Sequence, residues 1–213
     1  MCSPIRSRSI RCRVRASSTA SRSRLLLPER HRPAEVLEGP SLVLRRVDAA
    51  YAAELSGALR ASIPELRNFM DWAQDDPSAE DAVGEFLAIC DRDWIADRAY
   101  NFHVFLADSD ALIGNCALMR RVGPVAIEIG YWIRSDHAGR GYATEAAAIL
   151  VEAAWGIDSI ERIVIRHDLA NGASGRVAEK LGFGEIDRVA VEVMAEGESG
   201  VDLIRELIRP ERF

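Results

Sequence analysis

The sequence predicts a mixed α/β (α+β) domain, and three observations predict it. Three β-patterned runs follow one another between Tyr100 and Arg134 with only turn residues between them, which reads as an antiparallel meander. Tyr142–Trp155 then repeats its apolar residues Ala143, Ala147, Leu150, Val151 and Ala154 along one helical stripe. After it, strand and helix patterns alternate to the end of the chain, with no internal repeat.

Taken in order, Ser41–Val47 is a β-prone run, and Asp48 is a helix N-cap before Ala49–Arg60, whose composition favours helix. Pro64 suits a helix start, with Leu66, Phe69, Met70 and Trp72 forming an apolar cluster, and Ser78 or Asp81 can cap a longer helix reaching Asp97. Tyr100–Leu106, Ala111–Arg121 and Val125–Arg134 make the meander, broken at Asp108-Ser109-Asp110 and Gly123-Pro124. Gly156 ends the Tyr142–Trp155 helix. Ile160–His167 is the next strand, Gly172–Leu181 the next helix with Gly182 at its stop, and Ile186–Met194 and Val201–Ile208 close the chain around the turn 196–200.

With 213 residues, 48 % hydrophobic, the chain can bury the core of one domain, here residues 35–213. Residues 1–34 differ: the first 32 carry nine arginines against the single acid Glu29, a head of charge +8 on a body of about −14. That head reads as a basic, disordered extension; its composition is shared by organellar transit peptides, nucleic-acid-binding arms and an upstream start codon read through into protein. Leu25-Leu26-Leu27 is too short for a secretory signal, and no apolar run approaches the ~18 residues of a membrane span. Cys2, Cys12, Cys90 and Cys116 form no C-x-x-C, which fits a reduced, cytoplasmic compartment, and the four histidines show no metal-ligand spacing, so no metal is expected.

The chemistry concentrates where a strand meets a helix, at Arg134-Ser135-Asp136-His137-Ala138-Gly139-Arg140-Gly141-Tyr142-Ala143-Thr144-Glu145. Two glycines permit positive φ and close approach, so several N–H groups can converge on an anion at the positive end of a helix dipole. An ordinary tight turn has the same letters. A P-loop is excluded because no lysine follows either glycine, and a Rossmann turn because position 144 is Thr and the preceding strands form a meander.

Glu128-Ile129-Gly130-Tyr131-Trp132-Ile133 followed by Gly139-Arg140-Gly141-Tyr142-Ala143-Thr144-Glu145-Ala146 resembles the GNAT superfamily of acyl-CoA-dependent N-acetyltransferases. Asn171-Gly172-Ala173-Ser174 and Glu179-Lys180-Leu181-Gly182-Phe183 are similar to the RimJ/RimL-like branch, which acetylates protein N-termini. The resemblance covers roughly Leu37 to Arg209. It implies a central, mostly antiparallel sheet of six to seven strands, splayed between the fourth and fifth and flanked by helices. It also implies acetyl-CoA as cosubstrate, held by Ala138, Gly139, Arg140, Gly141, Tyr142, Ala143 and Thr144, by strand backbone near Trp132 and Ile133, and by Asn171. Gly130 is where a bulge is expected. The superfamily places Gln or Arg where this chain has Ala138, which removes one side-chain contact to the pyrophosphate.

Amine acetylation needs an acceptor for the amine proton and a donor for the leaving thiolate. Glu128, an acid inside an apolar strand, is assigned as the base, and Ser174, by resemblance, as the thiolate acid. Asn171 can both cap its helix and hold a pantetheine amide. Tyr131 and Tyr142 are read as packing or acyl-pocket residues and not as the acid. His167, Asp168 and Ser174 supply the letters of a hydrolase triad without its G-x-S-x-G elbow, and that reading is rejected. Arg134, Arg140, Arg166, Arg176 and Lys180 are expected around the cradle, suiting an anionic cofactor with a cationic amine arriving from the other side. The acceptor is expected to be a protein or peptide N-terminal amine, the alternatives being a polyamine or aminoglycoside, or a CoA-binding module without turnover. A homodimer is left open; a membrane partner is not expected, and nucleic acid only through the arm.

Overall fold

A computed structural model describes residues 32–211, so the assignment of residues 1–34 falls almost wholly outside the described part. The sheet has eight strands: β1 (Val36–Glu38), β2 (Leu42–Arg46), β3 (Ala99–Leu106), β4 (Leu112–Met119), β5 (Ala126–Ile133), β6 (Arg162–Asp168), β7 (Gly184–Ala190) and β8 (Val201–Ile208). Their spatial order is β1-β2-β3-β4-β5-β6-β8-β7, antiparallel everywhere except between β5 and β6. One strand more than expected is present because β1 is only three residues long and carries no buried residue for periodicity to reveal.

The helices are α1 (Ala52–Arg60), α2 (Ile63–Leu66), α3 (Glu80–Ile95), α4 (Tyr142–Trp155) and α5 (Gly172–Lys180). Asp48 does cap, with its carboxylate accepting from the Ala50 N–H at 2.8 Å, but it caps a 3-10 turn over Ala49–Tyr51 that leads into α1. Neither Ser78 nor Asp81 caps α3: Ala79 stands at the N-cap without a side-chain bond, and the Ser78 hydroxyl donates to Asp76 at 2.6 Å instead. No helix among the described residues is long and apolar enough to cross a membrane.

Because strands present alternate side chains to opposite faces, the sheet builds two cores. On one face α4 packs Ala146, Leu150 and Ala154 against Phe102, Ile127 and Ile163, all fully buried. On the other, α1 and α3 pack Leu55 and Leu87 against Phe105 and Leu112. At ~25 cal/mol per Å² such cores supply most of the folding free energy.

The site depends on β5 and β6, which correspond to the fourth and fifth strands of the expected sheet. They pair only through Ala126↔Arg162, Ile127↔Ile163 and Glu128↔Val164, and the ladder stops there, leaving the second half of β5 without a neighbour on that side. No bulge marks Gly130; the β4–β5 register runs unbroken from Met119↔Glu128 to Gly114↔Ile133, and the opening arises from the short parallel ladder instead. Gly130 meets a packing need: a Cβ there would approach the Met119 methyl to 2.9 Å.

Candidate active site

The turn between β5 and α4 is shaped by two left-handed glycines, Gly139 at φ +75° and Gly141 at φ +88°, with Gly141 as the helix N-cap. No protein atom lies within 4 Å of a Cβ built on either, so the glycines answer a backbone demand and leave open space in front of the turn. The first helical bond runs from the Glu145 N–H to the Gly141 carbonyl at 3.0 Å, so the helix makes no use of the Tyr142, Ala143 and Thr144 N–H groups. Unused N–H groups in front of open space at a helix N-terminus are an arrangement that can receive an anion. Ala138 is exposed and extended at its rim, and the Arg140 guanidinium donates to the Asp136 carbonyl at 3.1 Å. The expected basic cluster is partly neutralised: Arg134 is paired with Asp136 at 2.6 Å and Arg166 with Asp202.

The Glu145 carboxylate, in the first turn of α4, faces away from the cradle. Its Oε1 accepts from the N–H groups of Ser41 and Leu42 at 2.7 and 3.0 Å, tying the cradle helix to the β1–β2 turn.

Alternation decides what β5 offers to the opening. The Arg134 N–H donates to the Ile113 carbonyl at 2.7 Å, so Trp132 and Gly130 turn their backbone groups toward β4 as well, while those of Tyr131 and Ile133 face the gap left by β6. Of the two residues expected to bind a pantetheine arm, Ile133 therefore offers its backbone, whereas Trp132 contributes its indole to the α1/α3 face.

Side chains alternate too. Glu128 and Trp132 project to the face of α1 and α3, Tyr131 and Ile133 to the face of α4, and a cleft of about 960 Å³ runs through the opening and is lined from both sides. Glu128 is 4 % exposed, and both its oxygens accept from Arg121, Oε2 from Nε at 2.8 Å and Oε1 from Nη2. The guanidinium is held charged first by that bond and in smaller part by Asp71. Sequence reasoning missed Arg121, although Met119↔Glu128 register puts the β4–β5 connection beside the acid.

Across the opening, the Tyr131 hydroxyl lies 2.9 Å from the Ser174 Oγ and 3.3 Å from its carbonyl oxygen. Burial pushes the Tyr131 hydroxyl up to about 12, against the opposing pull of Ser174, so it stays protonated and able to donate. Ser174 is set in the first turn of α5 by Asn171, whose Oδ1 accepts its N–H at 3.1 Å; Asn171 thus caps the helix and lines the cleft. The triad letters do not assemble. His167 Nδ1 lies 2.8 Å from the Asp168 carbonyl and its Nε2 accepts from Arg205 at 3.2 Å, while N–H groups of Ser199 and Ala170 hold the Asp168 carboxyl below the usual range against the opposing effect of burial.

Comparison with known proteins agrees with this arrangement. The family profile described as the acetyltransferase (GNAT) domain matches residues 41–184. The uncharacterized N-acetyltransferase YnaD of Bacillus subtilis (strain 168) is 34 % identical over 87 residues, which is 41 % of this chain and 51 % of YnaD, so the match spans about half of that relative. The probable N-acetyltransferase YjcK of the same organism is 27 % identical over 150 residues, 70 % of this chain and 83 % of YjcK. Among solved structures, RimL, a ribosomal L7/L12 alpha-N-protein acetyltransferase in complex with coenzyme A, superposes with a TM-score of 0.74 at 19 % identity, covering 82 % of this chain and 98 % of RimL. A matched domain over more than half the chain, on a sheet opened between its parallel strands above a glycine cradle, means that the chain belongs to the GNAT acetyltransferase family.

Proposed function

We propose that the protein transfers acetyl from acetyl-CoA to a primary amine, with a protein or peptide N-terminal amine as acceptor. The observation that carries the reading is the opening beyond Glu128↔Val164, which has the anion cradle at one end, a carboxylate on one face and a hydroxyl pair on the other. The diphosphate of the cofactor sits on the N–H groups from Gly139 to Thr144, and its pantetheine arm bonds the free backbone edge of β5 at Ile133, with Asn171 opposite. The thioester then lies in the gap between the two faces. The neutral amine arrives from the Glu128 face and attacks the carbonyl carbon, forming the C–N bond. Its proton passes to Glu128, the C–S bond breaks, and the thiolate takes a proton from Ser174, which Tyr131 backs through its hydroxyl. RimL, named for an alpha-N-protein acetyltransferase activity and bound to coenzyme A, supports the peptide-amine acceptor and the cofactor.

Thermal melting with and without acetyl-CoA tests the cofactor, since a ligand at ~100 times its dissociation constant adds about 2.7 kcal/mol of stability. Thiol release on adding peptides with free N-termini tests the transfer. A shifted melt without release from any amine leaves a CoA-binding module; no shift at millimolar acetyl-CoA removes the reading.

A further inference from the structure

The helix α3 is apolar over a wider arc than its core contact requires. Val83, Leu87, Cys90 and Trp94 are its buried stripe, spaced to seat the helix on the sheet. Ala82, Phe86 and Ile89 repeat that spacing one residue earlier, about 100° round the helix, and line the cleft instead, with Ile89 39 % exposed. A helix that served the core alone would carry polar residues there.

Phe69, Met70 and Trp72, between α2 and α3, line the same cleft. Their segment is braced. Arg67 donates to the carbonyls of Ala73 and Asp75 at 3.0 and 3.1 Å, the Gln74 amide donates to those of Arg67 and Met70 at 2.9 and 3.1 Å, and the Asn68 carbonyl accepts the Gly197 N–H at 3.0 Å. Trp72, 45 % exposed, is therefore held at the cleft by a fixed backbone. Met70 and Phe86 pack on the same core as Trp132, so the apolar wall is continuous with the face of β5 that carries Glu128. Contiguous apolar surface left to water marks a binding site. Its place in a concave cleft of about 960 Å³, with Glu128 in the same lining, favours an inserted side chain attached to an amine over the flat face of a second copy. Polyamines and aminoglycosides carry no large apolar group to cover it.

We infer that this wall is an acceptor subsite for a large apolar side chain: the acceptor is a peptide whose first residue is Phe, Leu or Met. Its N-terminal amine lies at Glu128, and its side chain, which begins two bonds from that nitrogen, lies against Trp132, Met70 and Phe86 and reaches toward Trp72 and Ile89. The inference deepens the proposed acetyl transfer and rests on it only in naming the peptide an acceptor.

The test measures, on the full chain with coenzyme A present, calorimetric binding of the peptides Phe-Ala-Ala-Ser and Ser-Ala-Ala-Ser, of phenethylamine and of spermidine, alongside thiol release from acetyl-CoA with each. The phenylalanine peptide is expected to bind about tenfold tighter than the serine peptide. Both peptides carry the same charges, so the pull of the exposed acids Asp71, Asp75 and Glu85 in the same lining cancels, and the ratio should hold as salt is added. Ile89→Ser, and separately Trp72→Ser, change exposed residues and are expected to bring the ratio to about threefold or less with the melting transition kept. Ile95→Ser, at the end of the same helix, 62 % exposed and outside the cleft lining, should leave the ratio at its wild-type value. Equal binding of the two peptides, no binding of any probe, or a ratio that Ile89→Ser and Trp72→Ser leave unchanged overturns the subsite. Phenethylamine or spermidine binding as tightly as the phenylalanine peptide overturns the peptide assignment and gives the wall to a small amine. A dimer in sedimentation that both wall variants dissociate, without any peptide preference, overturns it in favour of a second copy. Preferential peptide binding without thiol release overturns the acetyl-transfer reading and leaves the subsite standing.

Discussion

The Tyr131 hydroxyl lies 2.9 Å from the Ser174 Oγ, joining a β5 side chain to the first turn of α5 across the only interruption in the described sheet ladder from β4 to β8. Two hydroxyls in contact can hand on one proton as a unit, so their contributions should not add. Ser174→Ala is expected to lower kcat by roughly 10²-fold and Tyr131→Phe by less, with the double variant no slower than Ser174→Ala. Steady-state thiol release from the three variants checks this, and multiplicative losses would mean that the two residues act separately.

Burial of Tyr131 also has a consequence at alkaline pH. An unfolded tyrosine titrates near 10 and the folded Tyr131 near 12. Below 10 both states hold the proton. As the pH rises from 10 through 12 the unfolded chain releases it and the folded chain does not, so stability falls by on the order of 2 kcal/mol. Burial raises Tyr100 in the same sense, so the comparison isolates one residue: Tyr131→Phe should flatten the decline without abolishing it. Denaturant melts at a series of pH values between 9 and 12 measure the two slopes.

Arg121 covers Glu128 with a side chain that is itself 62 % exposed. Removing one partner of a buried pair leaves the other charge uncompensated, but solvent at the guanidinium reduces that cost, so Arg121→Met should destabilise by only about 1–2 kcal/mol. Arg121→Met/Glu128→Gln should recover most of this loss, because no buried charge remains. If Glu128 is the base, Glu128→Gln alone should lower kcat by roughly 10²-fold with the acetyl-CoA affinity unchanged. Calorimetric acetyl-CoA binding separates the two effects.

The sequence made the meander, the α4 stripe and the glycine turn legible because each writes a local period or a φ requirement into adjacent residues. What it hid lies between elements. The opening beyond Glu128↔Val164 is a property of ladder length that no residue announces, and placing the irregularity at Gly130 mistook a glycine fitted around the Met119 methyl for a bulge. Tyr131 read as packing because its partner Ser174 is 43 residues away, and Arg121 read only as the end of a strand because Glu128 sits across a hairpin. The cap expected of Ser78 failed because the helix begins one residue later, with Ala79 at its N-cap.

The cradle can be tested without disturbing the fold. Since a Cβ at Gly141 would meet no protein atom within 4 Å, Gly141→Ala costs only the left-handed backbone strain, about 1–2 kcal/mol. Gly141→Asp adds a negative charge where the proposed mechanism places the diphosphate. It should melt within a few degrees of Gly141→Ala yet lose the acetyl-CoA-induced rise, and a retained rise in Gly141→Asp would place the diphosphate elsewhere.

Gly114 carries the opposite requirement. It has an ordinary backbone, but a Cβ there would fall inside contact distance of the Trp132 carbonyl oxygen and 3.1 Å from the Ile133 Cα. Those obstacles are backbone atoms and cannot rotate away, so Gly114→Ala must push β4 and β5 apart at the end of β5 that borders the opening. Overpacking of this kind costs ~1–3 kcal/mol. The displaced strand is also the one whose Ile133 edge receives the pantetheine arm in the proposed mechanism, so acetyl-CoA affinity should fall together with the melting temperature. At Ala117, farther along the same ladder and away from the opening, Ala117→Gly should lower stability without weakening cofactor binding. If the two substitutions lowered acetyl-CoA affinity equally, the close approach of Gly114 to Trp132 would matter to the fold alone.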